Sequence, residues 1–108
     1  MKYRVHLIED AEQDLLEIFV YGAQNDSIER AEYVFKRLKE RCDQLKQFPH
    51  RGHIPTELHF IGIQDFLEVT MKPYRIMYQI LDKNVLIHCI LDGRRDMQTL
   101  LNERMLRK

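Results

Sequence analysis

Four side chains in the C-terminal half of the chain have the types that phosphate chemistry needs: Glu68, Arg75, His88 and Arg95. A nuclease without a metal requires a base, an acid and cations that stabilise the charged transition state. Glu68 and His88 can serve as base and acid, and the arginines can supply the positive charge. Each of them also has a structural interpretation. Glu68 can form a surface ion pair with Arg75 across a hairpin, and His88 can be a hydrogen-bonded histidine of a sheet.

The last seventeen residues, DGRRDMQTLLNERMLRK, carry Arg95 and three further arginines, Arg94, Arg104 and Arg107. Arginines at these positions can bind a polyanion or a protein. They can also lie on a solvated helix face, where cations near a helix C-terminus interact favourably with the helix dipole. For Arg75, a structural role would be pairing with Asp92 or Asp96. The same stretch places leucines and methionines at helical spacing, so we expect a final helix that docks on the rest of the fold.

Metal chemistry is not indicated. His50 and His53 form an HxxH pattern with His59 nearby, but zinc needs three or four ligands on a rigid frame and no cysteine is near in sequence. Cys42 and Cys89 show no CxxC spacing, and we expect two buried, reduced thiols, as in a cytoplasmic protein. The sequence therefore predicts no metal and no cofactor.

The elements that position these residues can be predicted from hydrophobic periodicity. YRVHLI alternates as a half-buried strand, Asp10 opens a helix, and Ser27 or Asp26 caps a second one. FLEVTM, YRIMYQIL and VLIHCIL then alternate as three strands with short breaks, and Asp96 can cap the last helix. This order, β-α-α-β-β-β-α, predicts an α+β fold with an N-terminal helical hairpin packed on one face of a small antiparallel sheet.

The bulk properties limit the possible functions. A chain of 108 residues predicts one domain spanning residues 1–108, and no apolar run is long enough to cross a membrane. The net charge is zero, yet residues 9–29 carry seven acidic and no basic residues, whereas residues 30–51 carry seven basic and three acidic ones. Such asymmetry permits a polyanionic partner, and solvated helix faces explain it equally well.

Three segments carry a resemblance to a known family. FPHRG resembles an F-P-x-x-G hinge, KPYRIMYQI a central Y-R-I-x-Y-x-I strand, and LDGRRDMQTLL with ERML a closing G-R-R-D signature, all from the RelE/ParE superfamily of bacterial type II toxin–antitoxin toxins. The resemblance covers essentially the whole chain. It implies a small cytoplasmic toxin that inhibits growth, belongs to a plasmid-stabilisation module and is neutralised by a cognate antitoxin protein. RelE-like members cut messenger RNA in the ribosome, and ParE-like members bind DNA gyrase.

Departures from the RelE-like pattern favour the second group. Arg75 matches the arginine of the Y-R motif and Arg95 the arginine after the last strand. FLEVTM, however, has no basic residue before Lys72, and Leu101 stands near the position of the C-terminal tyrosine. Two cations remain without a convincing acid–base pair.

The favoured function is therefore a ParE-like toxin that inhibits gyrase by binding, without active-site chemistry of its own. The residues predicted to bind the target are Arg75, Arg94, Arg95, Arg104 and Arg107. The alternative is a metal-independent mRNA endoribonuclease of RelE type, and its catalytic residues would be Arg75, Arg95, Glu68 and His88. A third possibility is an inactive or diverged interaction module.

The implied antitoxin needs an exposed apolar groove in which a disordered segment can fold on binding. We expect this groove between the helical hairpin and the sheet, lined by Leu16, Phe19 and Val20.

Overall fold

The computed structural model describes residues 2–106 and confirms the predicted order of the main elements. It adds one short helix, α3, between α2 and β2. Two single 3₁₀ turns, Gln44–Lys46 and Pro49–Arg51, lie between α2 and α3. The elements are β1 (Arg4–Leu7), α1 (Glu9–Asn25), α2 (Ile28–Asp43), α3 (Thr56–Phe60), β2 (Leu67–Met71), β3 (Tyr74–Leu81), β4 (Asn84–Asp92) and α4 (Met97–Leu106).

The four strands form one sheet in the order β1-β4-β3-β2. Strands β2, β3 and β4 are the predicted antiparallel meander. Strand β1 pairs parallel with β4, so the sheet is mixed rather than antiparallel throughout. The connection from β1 to β4, which runs through three helices and the strands β2 and β3, makes this parallel pairing possible, because parallel neighbours need a connection of a dozen residues or more.

Helices cover both faces of the sheet. The hairpin of α1 and α2 packs on one face, where Leu15 and Leu38 meet Ile76 and Ile87. Helices α3 and α4 pack on the opposite face around Met77, Cys89 and Leu91. The predicted docking of the last helix is thus confirmed, and the expected one-sided arrangement is extended by a second helical layer.

Local signals set most helix ends. Helix α1 begins at Glu9 with Ile8 at its N-cap, one residue earlier than the predicted start at Asp10. Acidic side chains in its first turn complement the positive end of the helix dipole. The Ser27 hydroxyl caps α2 as predicted, and the Asp96 carboxylate accepts a backbone hydrogen bond in the first turn of α4.

Both cysteines are buried and free. Burial raises the pKa of the Cys42 thiol and that of the Cys89 thiol to about 12 each, so neither sulfur is a ready nucleophile. Among residues 2–106, no helix combines the length and the apolar character that crossing a membrane requires.

Candidate functional site

A groove of about 440 Å³ lies between α1 and the C-terminal half of β4. It exists because β1 has only four residues and pairs with the first part of β4, so in the described part of the chain the rest of β4 has no strand on that side. We call it the α1–β4 groove. Its lining residues are Asp14, Glu17, Ile18, Tyr21, Tyr74, Ile90, Leu91, Asp92, Arg94 and Arg95.

Two side chains complete the edge of β4 where β1 stops. The Asp14 carboxylate accepts the Ile90 N–H at 3.0 Å, and the Arg104 guanidinium donates to the His88 carbonyl at 3.0 Å. Arg104 also binds both Asp14 carboxylate oxygens, at 2.9 and 3.1 Å. Its side chain is only 15% exposed, which corrects the expectation that Arg104 lies on an open recognition surface. Burial opposes the charge of Arg104, but its bonds to Asp14 outweigh burial and raise its pKa.

The arginines at the mouth of the groove are placed differently. The Arg94 side chain is 75% exposed and binds the Asp92 carboxylate at 2.6 Å. This contact holds the pKa of Asp92 below its usual value and fixes the direction of Arg94. Arg95 is exposed beside it, and no carboxylate among residues 2–106 lies within ion-pair distance. Arg107, also predicted to bind the target, lies outside the described residues.

Arg75 lies on the opposite face of the sheet, between two carboxylates. Its guanidinium donates to both Glu57 oxygens at 2.7 and 2.8 Å, and to both Glu68 oxygens at 2.7 and 3.0 Å. Asp92 and Asp96, the partners expected from sequence, do not bind it. Glu68 is only 4% exposed, so its pair with Arg75 is a buried one rather than the expected surface pair.

His53 adds a fourth titratable group to this site, which we call the Arg75 cluster: His53, Glu57, Glu68 and Arg75. His53 Nε2 lies 3.0 Å from a Glu68 carboxylate oxygen, and the imidazole is 67% exposed. The hydrogen bonds that Arg75 donates to Glu57 raise the pKa of Arg75 against the opposing effect of burial, and the Glu68 contacts raise it further. The same bond lowers the pKa of Glu57. Arg75 is therefore permanently charged and already neutralised by carboxylates.

The His88 ring is held by neighbouring side chains. A shift in the pairing register between Met77 and Tyr78 leaves His88 as an extra residue of β4. Its ring lies 3.2 Å from Gln79 Oε1 and packs edge-on against Phe66. Burial, and then the charge of Arg104, lower its pKa, so the ring is held neutral.

The four residues proposed for a nuclease are thus only partly brought together. Glu68 and Arg75 are in direct contact. His88 binds Gln79, which lies four residues, or about 13 Å, along β3 from Arg75. Arg95 lies at the α1–β4 groove and makes no contact with the Arg75 cluster in the described structure.

The residues predicted to line the antitoxin groove also lie elsewhere. A groove does separate α1 from the sheet, but α1 lines it with Ile18 and Tyr21. Leu16 and Val20 are 51% and 42% exposed on another face of α1, and Phe19 packs edge-on against the second helix. Because an α-helix has 3.6 residues per turn, residues three or four positions apart share a face. Positions 16 and 20 therefore lie on one side of α1, and positions 14, 18 and 21 lie on another.

Two functional positions escape the sequence prediction. Asp14 had a usable signal, since it is a charged residue at helical spacing from Ala11 and Ile18 on an otherwise apolar face. Glu57 follows Pro55 and Thr56, a pattern typical of a helix start, and no local signal points it towards Arg75. Among the described residues, no three His, Cys, Asp or Glu side chains are grouped so that they could hold a metal ion.

Sequence comparison with known proteins gives matches that extend over most of the described fold. The family described as "ParE toxin of type II toxin-antitoxin system, parDE" matches residues 5–97, from β1 to the first residue of α4. Toxin ParE3 of Caulobacter vibrioides is 26% identical over 91 residues, which cover 84% of this chain and 87% of that protein.

Solved structures share the architecture at low sequence identity. The chromosomal ParDE system of P. aeruginosa gives a TM-score of 0.70 at 17% identity, covering 82% of this chain and 94% of that one. The RelBE2 toxin–antitoxin complex of Mycobacterium tuberculosis gives 0.63 at 18%, covering 83% and 96%. A mutant of the E. coli toxin RelE in the free state gives 0.66 at 16%, covering 99% and 98%. These likenesses show the fold.

Proposed function

This chain belongs to the ParE toxin family of type II toxin–antitoxin systems, and we propose that it inhibits DNA gyrase by binding, with the α1–β4 groove and its arginines as the functional surface. The gyrase target is what the resemblance to ParE-like toxins implies. A cognate antitoxin neutralises the toxin by covering the same groove.

One observation carries the choice of a binding function. Arg75, the arginine that an RNA-cleaving site would need for phosphate, is bound by Glu57 and Glu68 through both edges of its guanidinium. A phosphate would have to displace a carboxylate in a partly buried setting, where such charge-assisted bonds are strong. Arg94 and Arg95, in contrast, are exposed and line the α1–β4 groove. The accessible positive charge therefore lies where a partner surface can meet it.

The groove suits an antitoxin segment with apolar and acidic residues. Ile18, Tyr21 and Tyr74 offer apolar and aromatic surface, and Arg94 and Arg95 offer charge at its mouth. Tyrosine and arginine are the residue types that dominate binding energy at interfaces. The solved relatives include toxin–antitoxin complexes, which supports a protein partner of this kind. Leu16, Phe19 and Val20 remain a proposed contact for an antitoxin segment that extends around α1.

A second candidate function is cleavage of mRNA on the ribosome. The observation in its favour is that Glu68 contacts both His53, at 3.0 Å, and Arg75, at 2.7 Å, so that an acid, a base and a cation form a chain. His53 is exposed and reachable by a substrate.

A paired assay with purified toxin tests the proposal. One arm follows plasmid supercoiling by gyrase, and the other follows cleavage of mRNA on translating ribosomes. We expect loss of supercoiling without cleavage, and we expect the double substitution Arg94→Ala with Arg95→Ala to restore supercoiling. The control is Arg30→Ala, an exposed arginine of α2 that lies over the Tyr33 ring.

Two results would overturn the proposal. The first is undiminished supercoiling with wild-type toxin. The second is mRNA cleavage that disappears with His53→Gln, an exposed substitution that leaves the Glu68–Arg75 pair in place and therefore keeps the fold.

A further inference from the structure

A second concavity, of about 430 Å³, lies at the C-terminal end of α2 and shares no lining residue with the α1–β4 groove or the Arg75 cluster. We call it the Arg41–Arg51 pocket. Its lining combines two cations, two amides and an aromatic ring: Arg41, Arg51, Gln44, Gln47 and Phe48. The toxin function described above uses none of them.

Arg41 is held in one orientation by uncharged acceptors. Its Nε donates to the Thr70 carbonyl at 3.1 Å, and its Nη1 donates to the Gln44 side-chain oxygen at 2.9 Å. No carboxylate within residues 2–106 lies within ion-pair distance of Arg41. The remaining N–H groups of its fork are the kind of donors that bind phosphate oxygens in pairs.

Arg51 brings a second positive charge to the same pocket, again without an ion-pair partner in the described part of the chain. Both guanidiniums line one pocket, and burial and then the charge of Arg51 lower the pKa of Arg41. The acidic residues nearest to Arg41 in sequence, Glu40 and Asp43, are paired with Arg37 at 3.9 Å and with Lys46 at 2.8 Å. An anion between the two arginines would relieve their repulsion.

The segment that carries Arg51 is fixed to the sheet. The buried Tyr78 hydroxyl donates to the Pro49 carbonyl at 2.7 Å and accepts the Gly52 N–H at 3.2 Å. Gly52 is packed so closely that a Cβ there would lie 2.5 Å from the Tyr78 oxygen and 2.6 Å from the Glu68 carbonyl. The pocket wall is therefore positioned before any ligand arrives, which lowers the entropy lost on binding.

Phe48 completes the pattern. Its ring is 59% exposed beside the two arginines, although a phenylalanine is normally buried. Exposed aromatic rings beside cations are typical of proteins that bind single-stranded nucleic acid, where an unstacked base lies on the ring and the phosphate contacts the cation. Gln47 and the amide nitrogen of Gln44 can donate to the edge of that base.

We propose that the Arg41–Arg51 pocket binds single-stranded nucleic acid, with one phosphate between Arg41 and Arg51 and one unstacked base on Phe48. The proposal goes beyond gyrase inhibition and does not depend on it. Residues 30–51, which span most of α2 and include both arginines of the pocket, carry seven basic against three acidic residues and add long-range attraction for a polyanion.

Fluorescence anisotropy of a short labelled oligothymidylate, titrated with the purified full-length toxin at several salt concentrations, tests the pocket. We expect Arg51→Gln to weaken binding about tenfold and to reduce the slope of log affinity against log salt by about 0.7, as for one lost phosphate contact. We expect Phe48→Leu to weaken binding at least about fivefold with an unchanged slope, because stacking is not ionic. Both side chains are exposed, so both variants should fold, which circular dichroism checks.

Matched controls are Arg30→Gln, about 16 Å further along α2, and Phe60→Leu, whose ring is 80% exposed on α3. Wild-type affinity in both controls, with the losses above, supports the proposal. It is overturned if the oligonucleotide does not bind, or if the controls weaken binding as much as the pocket variants. It is also overturned if Arg51→Gln acts and Phe48→Leu does not, because the site would then bind an anion alone.

Discussion

The Arg75 cluster and the arginines at the mouth of the α1–β4 groove differ in how much of their charge is already neutralised. The Arg75 side chain is 17% exposed and is held by two glutamates, whereas Arg94 is 75% exposed and is paired with one aspartate. Both residues lie within short sequence motifs that carry the family resemblance. The difference shows that the motif identifies the position of an arginine, while burial and partners determine whether its charge is available.

How much each ion pair contributes to stability depends on whether the pair is exposed or buried. Exposed ion pairs contribute about 0–1 kcal/mol to stability because water and salt screen them. Removing one partner of a buried pair leaves an uncompensated charge in a poorly solvated place, which costs about 3–5 kcal/mol. We therefore expect the Arg75 cluster to stabilise the fold and the groove arginines to contribute to binding.

Arg75→Met gives the largest expected effect. It leaves the buried Glu68 and the half-buried Glu57 without their cation, and we expect the free energy of unfolding to fall by about 3–5 kcal/mol in urea titrations. The matched variant Arg94→Met should leave the free energy of unfolding close to that of wild type, because water and salt screen its exposed ion pair. Equal losses in the two variants would remove the distinction between the two sites.

Asp14→Ala should have the next largest effect, because it removes the acceptor of the Ile90 N–H and the main partner of Arg104. We expect a loss of about 1–3 kcal/mol, the range for a buried group left unsatisfied. The loss is smaller than for Arg75→Met because Asp10 stays 3.9 Å from Arg104.

Hydrogen exchange at single amides tests whether the effect of Asp14→Ala arises at the edge of β4. The Ile90 amide should exchange faster in Asp14→Ala and at the wild-type rate in Glu17→Ala, an exposed acidic residue of the same groove. Unchanged protection of Ile90 in the first variant would show that Asp14 does not complete the strand edge.

Acid titration compares the two arginine sites through their carboxylates. Arg75 lowers the pKa of Glu57 below its ordinary value of 4.5, so the stability that Glu57 contributes is present above that pH and is lost as the pH falls through the folded pKa. Unfolding followed between about pH 5 and pH 3 should therefore show a shallower decline for Glu57→Gln than for wild type. Asp92→Asn, at the exposed site, should change the decline less, and the reverse order would contradict the assignment of Arg75 as the structural arginine.

The smallest expected effect concerns His88 beside the buried Arg104. Its pKa is lowered from 6.5, so the unfolded chain takes up the proton first and stability decreases as the pH falls below that value. His88→Gln can still bind Gln79 and should remove this part of the pH dependence. A variant with the wild-type profile between about pH 7 and pH 5 would show that His88 titrates normally in the fold.

The sequence predicts well whatever depends on neighbours along the chain or across a hairpin. Alternation locates the meander, Ser27 and Asp96 cap their helices, and Glu68 meets Arg75 because both lie on the β2–β3 hairpin. These features need only local geometry, which periodicity and turn length specify.

Contacts between distant segments could not be predicted in the same way. Asp14 and Arg104 are 90 positions apart, and each has the features of an ordinary charged residue of a helix. Glu57 reaches Arg75 from a segment that has no regular periodicity. The extra residue at His88 is hidden in the uninterrupted alternation of VLIHCIL, although it turns Ile87 and Cys89 towards opposite helical layers.

The short first strand has a consequence for how copies of the protein behave in solution. An uncovered strand edge is a template for pairing with another chain and thus for aggregation. Asp14 occupies the Ile90 N–H and Arg104 the His88 carbonyl, so a second copy would have to break buried charged bonds before it could pair there.

The opposite edge of the sheet, formed by strand β2, is also covered. The backbone of His53 exchanges two hydrogen bonds with Glu68, and Arg41 donates to the Thr70 carbonyl. Side chains and loops thus protect both borders of a four-stranded sheet. The same ion pairs that hold the helices in place also limit strand-to-strand self-association of a toxin that has lost its antitoxin.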